Sequence, residues 1–134
     1  MLTDLHSFET GNRRVVDLTR DVERFVSGAG SDGLVHVFAP HATAGVALIE
    51  TGSGTEADLE DALDRLLPRE DIYAHSHGSK GHGADHVIPA FVSPSLAIPV
   101  VDGRVALGTW QSVVFVDLNR DNPQRKVRFT FIPA

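Results

Sequence analysis

Seven histidines are spread over this 134-residue chain, and four of them fall in one glycine-rich stretch, YAHSHGSKGHGADH at 73–86: His75, His77, His82 and His86. Imidazole is the commonest transition-metal ligand and the side chain whose unperturbed pKa lies nearest neutrality. Clustering it therefore points to a divalent metal or to proton transfer. His41 adds a candidate from elsewhere, because it follows an apolar run and opens a small-residue turn, Pro40 to Gly45. Two histidines from one loop plus a third from another element is a common way to build a three-ligand site with an open position. His75 and His77 share a face if the loop is extended, and His82 and His86 share one if it is helical, so spacing leaves the choice of ligands open. Asp85 is either a further ligand or an acceptor that orients an imidazole. The competing reading is a solvated loop that happens to be rich in histidine.

A second candidate pairs residues 40–45 with Gly108, Thr109, Trp110 and Gln111. Small and hydroxyl residues after a strand expose backbone N–H groups that can cradle an anion, and Thr43 and Thr109 add donors. Two ordinary turns account for the same residues equally well. Glu50 follows an apolar run and is open to three readings: a general base, a partner of a site residue, or an exposed strand end. Trp110 reads as core filler and His36 as a strand-face residue. Arg104, Arg125, Lys126 and Arg128 are able to bind phosphate, but the solvated face of edge strands accounts for them more simply.

The elements that must hold these residues follow from periodicity. Leu18, Val22, Phe25 and Val26 fall on one helical face, with Thr19 or Asp17 available as a cap and a stop at 28–33. Leu59, Ala62, Leu63, Leu66 and Leu67 form a second helical stripe, opened by the capping-box spacing of Ser53 and Glu56 and closed by Pro68. Strands are expected at 2–10, 34–39, 46–51, 87–91, 95–101 and 126–131. Asp102-Gly103 predicts a two-residue hairpin turn, and the nearly continuous apolar run at 111–118 predicts a strand in mid-sheet. Together these indicate one α+β domain over residues 1–134, with two helices and a mainly antiparallel sheet.

Composition narrows the function classes. A net charge of -6 argues against a nucleic-acid surface. The absence of cysteine removes disulfides and thiolate metal sites, so any metal is held by imidazole, carboxylate or hydroxyl groups. Neither a signal-peptide pattern nor a run of about 18 apolar residues is present, and a cytoplasmic protein without membrane contact is expected.

The segments HATAG (41–45), GADH (83–86), SPSL (93–96), DGR (102–104) and LGTWQ (107–111), in that order, resemble the YjbQ-like family of secondary thiamine-phosphate synthases over nearly the whole chain. The resemblance implies an antiparallel sheet curved around a helix, a homotrimer, and a site built from histidines near subunit boundaries. It also implies a metal-binding transferase that joins a pyrimidine methyl diphosphate to a thiazole phosphate and releases pyrophosphate. A metal-dependent phosphohydrolase and a non-catalytic trimeric binding protein are the alternatives. On the family pattern His41 and His86, with His75 as the third, would hold a divalent metal, zinc or magnesium. Glu50, Thr43 and Gln111 would be catalytic, and Gly108 and Thr109 would bind a small phosphorylated substrate. Two departures stand out. Ile49 and Thr51 occupy positions where the family commonly has asparagine, and His77 and His82 are extra, expected to be solvent-exposed or to support the ligands from behind.

Overall fold

The computed structural model describes residues 2–75 and 78–134. In chain order the elements are β1 (Leu2–Glu9), β2 (Val15–Asp17), α1 (Thr19–Ser27), β3 (Gly33–Phe38), β4 (Ala44–Ile49), α2 (Thr55–Leu66), α3 (His82–Asp85), a 3-10 turn (Ile88–Ala90), β5 (Ser95–Val101), β6 (Arg104–Val105), β7 (Ser112–Asp117) and β8 (Gln124–Pro133). The strands form two antiparallel sheets, ordered β1-β8-β3-β5-β6 and β2-β7-β4. Val35, Val37, Phe129 and Phe131 from the first sheet meet Val46 and Phe115 from the second in one core, which also takes Val22 and Val26 of α1. The sheets curl around α1, which contacts β6, β7 and β8. The fold is thus α+β with antiparallel sheets curved around a helix, as expected.

β7 explains how a second core arises. Side chains alternate across a strand, so Val113 and Phe115 face the core between the sheets while Val114 and Val116 face the opposite way. There Val114 and Val116 pack with Leu63 of α2, with Leu67 just past its end, and with Ala84 and Ile88 from the histidine segment. An apolar run that lacks alternation is what a strand covered on both sides requires. α2 and the histidine segment are therefore seated on the outer face of the smaller sheet.

Several local expectations change. Residues 87–91 are not a strand: Pro89 sits in the first turn of the 3-10 segment, with Ala90 and Phe91 amides returning to Val87 and Ile88 carbonyls. Residues 82–85 form a third helix, one turn long. The Ser53–Glu56 capping box does not form. Gly54 is the N-cap, Ser53 Oγ donates to Glu50 Oε1, and Glu56 instead accepts the Gly52 amide at 3.1 Å. For α1 the N-cap is Leu18, while Asp17 Oδ1 accepts the Thr19 amide at 2.9 Å. The hairpin turn is as expected, with Asp102 at φ 52 and Gly103 at φ 75, the paired positive values of a type I′ turn. β8 is not an edge strand, since it lies between β1 and β3, and its Arg125 points inward and is buried. Trp110 is 73% exposed and fills no core. No helix among the described residues is long and apolar enough to cross a membrane.

Candidate metal centre

The single turn of α3 makes the site. A helical turn puts residues four apart on one face, so His82 projects beside His86, and their Nε2 atoms stand 2.9 Å apart. His75 comes back over them from the preceding segment, its ring centroid 4.0 Å from that of His86 and 5.6 Å from that of His82. Glycine permits this approach: a Cβ on Gly83 would lie 2.6 Å from the His75 carbonyl oxygen and 2.5 Å from Tyr73 Cβ. Tyr73 anchors the segment by donating from its hydroxyl to the Pro68 carbonyl at 2.8 Å. The result is one ligand atom each from His75, His82 and His86, all within 4.8 Å of one another.

Two carboxylates and, behind one of them, a guanidinium pack around His82. His82 is buried, and its Nδ1 lies 3.0 Å from Asp121 Oδ2 and 3.6 Å from Asp85 Oδ2. Asp85 is fully buried, and its Oδ1 accepts from Arg69 at 2.5 Å. Asp121 also accepts the Ser79 amide, and that hydrogen bond above all holds its pKa below the ordinary carboxylate value. A cavity of about 400 Å³ adjoins the cluster and is lined in part by Tyr73, His75, Ser79, Lys80 and His82.

The donor chemistry tests whether a metal fits. Two nitrogens on one tetrahedral zinc at the usual bond length lie about 3.3 Å apart, close to the separation of the two Nε2 atoms. Three imidazoles suit a zinc-class ion, whereas magnesium takes oxygen ligands and keeps its waters. A carboxylate behind an imidazole is the usual support of a metal-ligating histidine.

The structure brings His75 and His86 together but adds His82 to them, and His41 lies in a different network. His82 is therefore not solvent-exposed, because α3 turns it inward. Its signal was present in the four-residue spacing to His86, had 82–86 been read as helix. His77 lies outside the described residues. His41 Nε2 is 2.9 Å from the Lys126 carbonyl oxygen and 3.1 Å from its amide, and Nδ1 is 3.4 Å from Arg125 Nη1. Burial first, and the Arg125 charge second, push the His41 pKa down. Thr43 is buried and accepts from Arg125 Nη2 at 3.3 Å. Glu50 is exposed and accepts from Ser53. Gly108, Thr109 and Gln111 are exposed, and the Gln111 side chain closes its own turn by accepting the Gly108 amide at 2.8 Å. Sequence reasoning missed Asp121, which comes from the distant loop between β7 and β8, and Arg69, which lies just past α2 and before His75.

The sequence profile described as UPF0047 protein YjbQ-like matches residues 4–134. The chain belongs to the YjbQ-like UPF0047 family. Among its relatives, a UPF0047 protein of Mycobacterium tuberculosis is 60% identical over 132 residues, covering 98% of each chain. The UPF0047 protein YugU of Bacillus subtilis is 30% identical over 131 residues, covering 94% of each. A hypothetical protein from Aeropyrum pernix has a crystal structure that superposes with a TM-score of 0.89 at 31% identity over the full length of both chains. A structure from Sulfolobus solfataricus, described as a YbjQ-like protein of unknown function, gives a TM-score of 0.91 at 22% identity, covering 99% of this chain and 97% of that one. These comparisons correct the expected activity. The relatives just named are described as UPF0047 proteins, as a hypothetical protein or as a protein of unknown function, not as thiamine-phosphate synthases. The coupling of a pyrimidine diphosphate to a thiazole phosphate, and the transferase class with it, is therefore not carried over to this chain.

Proposed function

We propose that this chain is a divalent-metal-binding protein, with a zinc-class ion held by His75, His82 and His86 and a small molecule taken up in the adjoining cavity. The observation that carries this reading is the convergence of three imidazole ligand atoms within 4.8 Å. When bound, the ion supplies a Lewis-acidic position that polarises an oxygen of water or of a ligand. The residues divide the remaining work. Buried His82, backed by carboxylates, is the fixed ligand; exposed His75 faces the cavity. Ser79 and Lys80, lining the same cavity, are the donors for a phosphorylated small molecule. Metal analysis after loading with zinc and desalting tests the reading. About one zinc per chain is expected, with loss in His82→Ala and in His86→Ala. Retention by both variants overturns the site. His41→Ala decides between ligand sets: it keeps its zinc if the three clustered histidines suffice.

A homotrimer is the assembly proposed for the chain. Its support is the outer face of the larger sheet, where Leu34 pairs with Ile132 and Pro99, Leu5 pairs with Arg128, and Phe38 ends the row. Leu5, Leu34, Phe38 and Ile132 are each between 37% and 48% exposed. Arg128, His36 and Thr130 lie among them on the same face, which makes it a mixed apolar and polar surface, the composition usual for a protein–protein interface. Sedimentation equilibrium is expected to give three times the 14.5 kDa chain mass, and Ile132→Glu is expected to shift it toward one; a monomeric wild type overturns the proposal.

A further inference from the structure

The two acids around His82 are not used by the ligand set itself, and they come from different parts of the chain. Asp85 sits on α3, fully buried, and its Oδ2 has no hydrogen-bond partner among the described residues. Asp121 lies in the loop between β7 and β8, and its carboxylate reaches across to His82 Nδ1 at 3.0 Å. The same oxygen accepts the Ser79 amide at 3.3 Å. Gly78 makes room for it: with φ at 80, a Cβ there would stand 2.8 Å from Asp121 Oδ2 and 3.0 Å from His82 Cγ. The loop that carries Asp121 is itself ordered, with Asn119 Oδ1 accepting the Asp121 amide and Asp117 Oδ1 accepting the Asn119 amide, both at 2.9 Å.

From this geometry we propose that Asp121 is a positioning residue, which fixes His82 as its Nδ1–H tautomer and pins the histidine loop at Ser79, with Asp85 as a second carboxylate behind it. This rests on the metal reading above and deepens it. A neutral imidazole carries one proton, so an Nδ1–H directed at a carboxylate leaves Nε2 with its lone pair facing the cluster. In the metal-free chain that lone pair accepts from His86 Nε2–H across the 2.9 Å contact. One Asp121 oxygen faces both the loop backbone and the ring.

Nitrogen-15 spectra of the histidines in the metal-free chain, at one fixed pH, read the tautomer directly. His82 is expected to be protonated at Nδ1 in the wild type and to lose that preference in Asp121→Ala. Zinc affinity of Asp121→Ala is expected to fall about 10–100-fold. Asp121→Asn keeps an oxygen acceptor and is expected to restore the tautomer and part of the affinity. With its side chain 37% exposed, Asp121 is replaceable without opening the core. A wild-type His82 protonated at Nε2 overturns the proposal, as does an Asp121→Ala variant with an unchanged tautomer, or one that binds zinc as tightly as the wild type. If the wild type takes up no zinc but the tautomer depends on Asp121, the positioning role is upheld and the metal reading falls.

Discussion

At His41 a single imidazole is caught between a backbone and a guanidinium. Its Nε2 is occupied by Lys126 main-chain atoms, and its Nδ1 faces Arg125, whose Nε is paired with buried Asp117 at 2.5 Å. Burial, then Arg125, lowers its pKa from 6.5, so the folded protein holds it neutral and the unfolded chain protonates first on acidification. The stability this represents is present above the unfolded value of about 6.5 and is lost as pH falls through the lower folded value. Denaturation midpoints measured between pH 7 and 5 should therefore drop less in His41→Gln than in the wild type; parallel curves would show that His41 is not the group responsible. Asp117 illustrates a contest of effects. Burial pushes its pKa up, and the Arg125 charge and the Asn119 amide pull it back. Removing Arg125 leaves that buried carboxylate without its counter-charge, held among the described residues only by the Asn119 amide, so Arg125→Met is expected to cost about 3–5 kcal/mol in urea unfolding. Pairing it with Asp117→Leu should recover much of the loss, and failure to recover would assign the cost to packing instead.

Among the elements, β7 shows why part of the fold was readable. Its unbroken apolar run demands cover on both sides, and the two cores supply it. Val113→Thr and Val114→Thr place a hydroxyl on opposite faces, and each is expected to cost about 1–3 kcal/mol by thermal or urea denaturation. A near-neutral result at Val114 would mean that α2 and the histidine segment do not seal that face. The helical stripe of α1 and the Asp102-Gly103 turn were legible for the same kind of reason, since each is a local pattern with one physical solution. α3 was not. A helix of four residues shows no periodicity, and glycine at 81 and 83 argues against helix by propensity. What stabilises it is tertiary: Ala84 and Ile88 are buried against β7, and Arg69 holds Asp85. The pairing of His82 with Asp121 was beyond reach for a related reason, because it depends on how the β7–β8 loop lies over α3. Trp110 misled in the other direction, as hydrophobicity alone does not say whether a turn residue faces inward.

For the molecule as a whole, the two sheets separate the labour. The larger one carries the half-exposed Leu5, Leu34, Phe38 and Ile132 on its outer side, while the smaller one seats α2 and the histidine cluster on its outer side. Changes on one are expected to leave the other intact: Ile132→Glu should alter sedimentation without altering zinc content, and a joint loss would show that the cluster needs a neighbouring copy. The strand order β1-β8-β3 also sets a sequence of events in time. During synthesis β1 emerges first and has no neighbour, and β3 has only β5, until Gln124–Pro133 leaves the ribosome and inserts between them. A chain cut after Asn122 should therefore show rapid amide exchange throughout β1 and should aggregate, because the widest sheet is completed only by the last strand to be made.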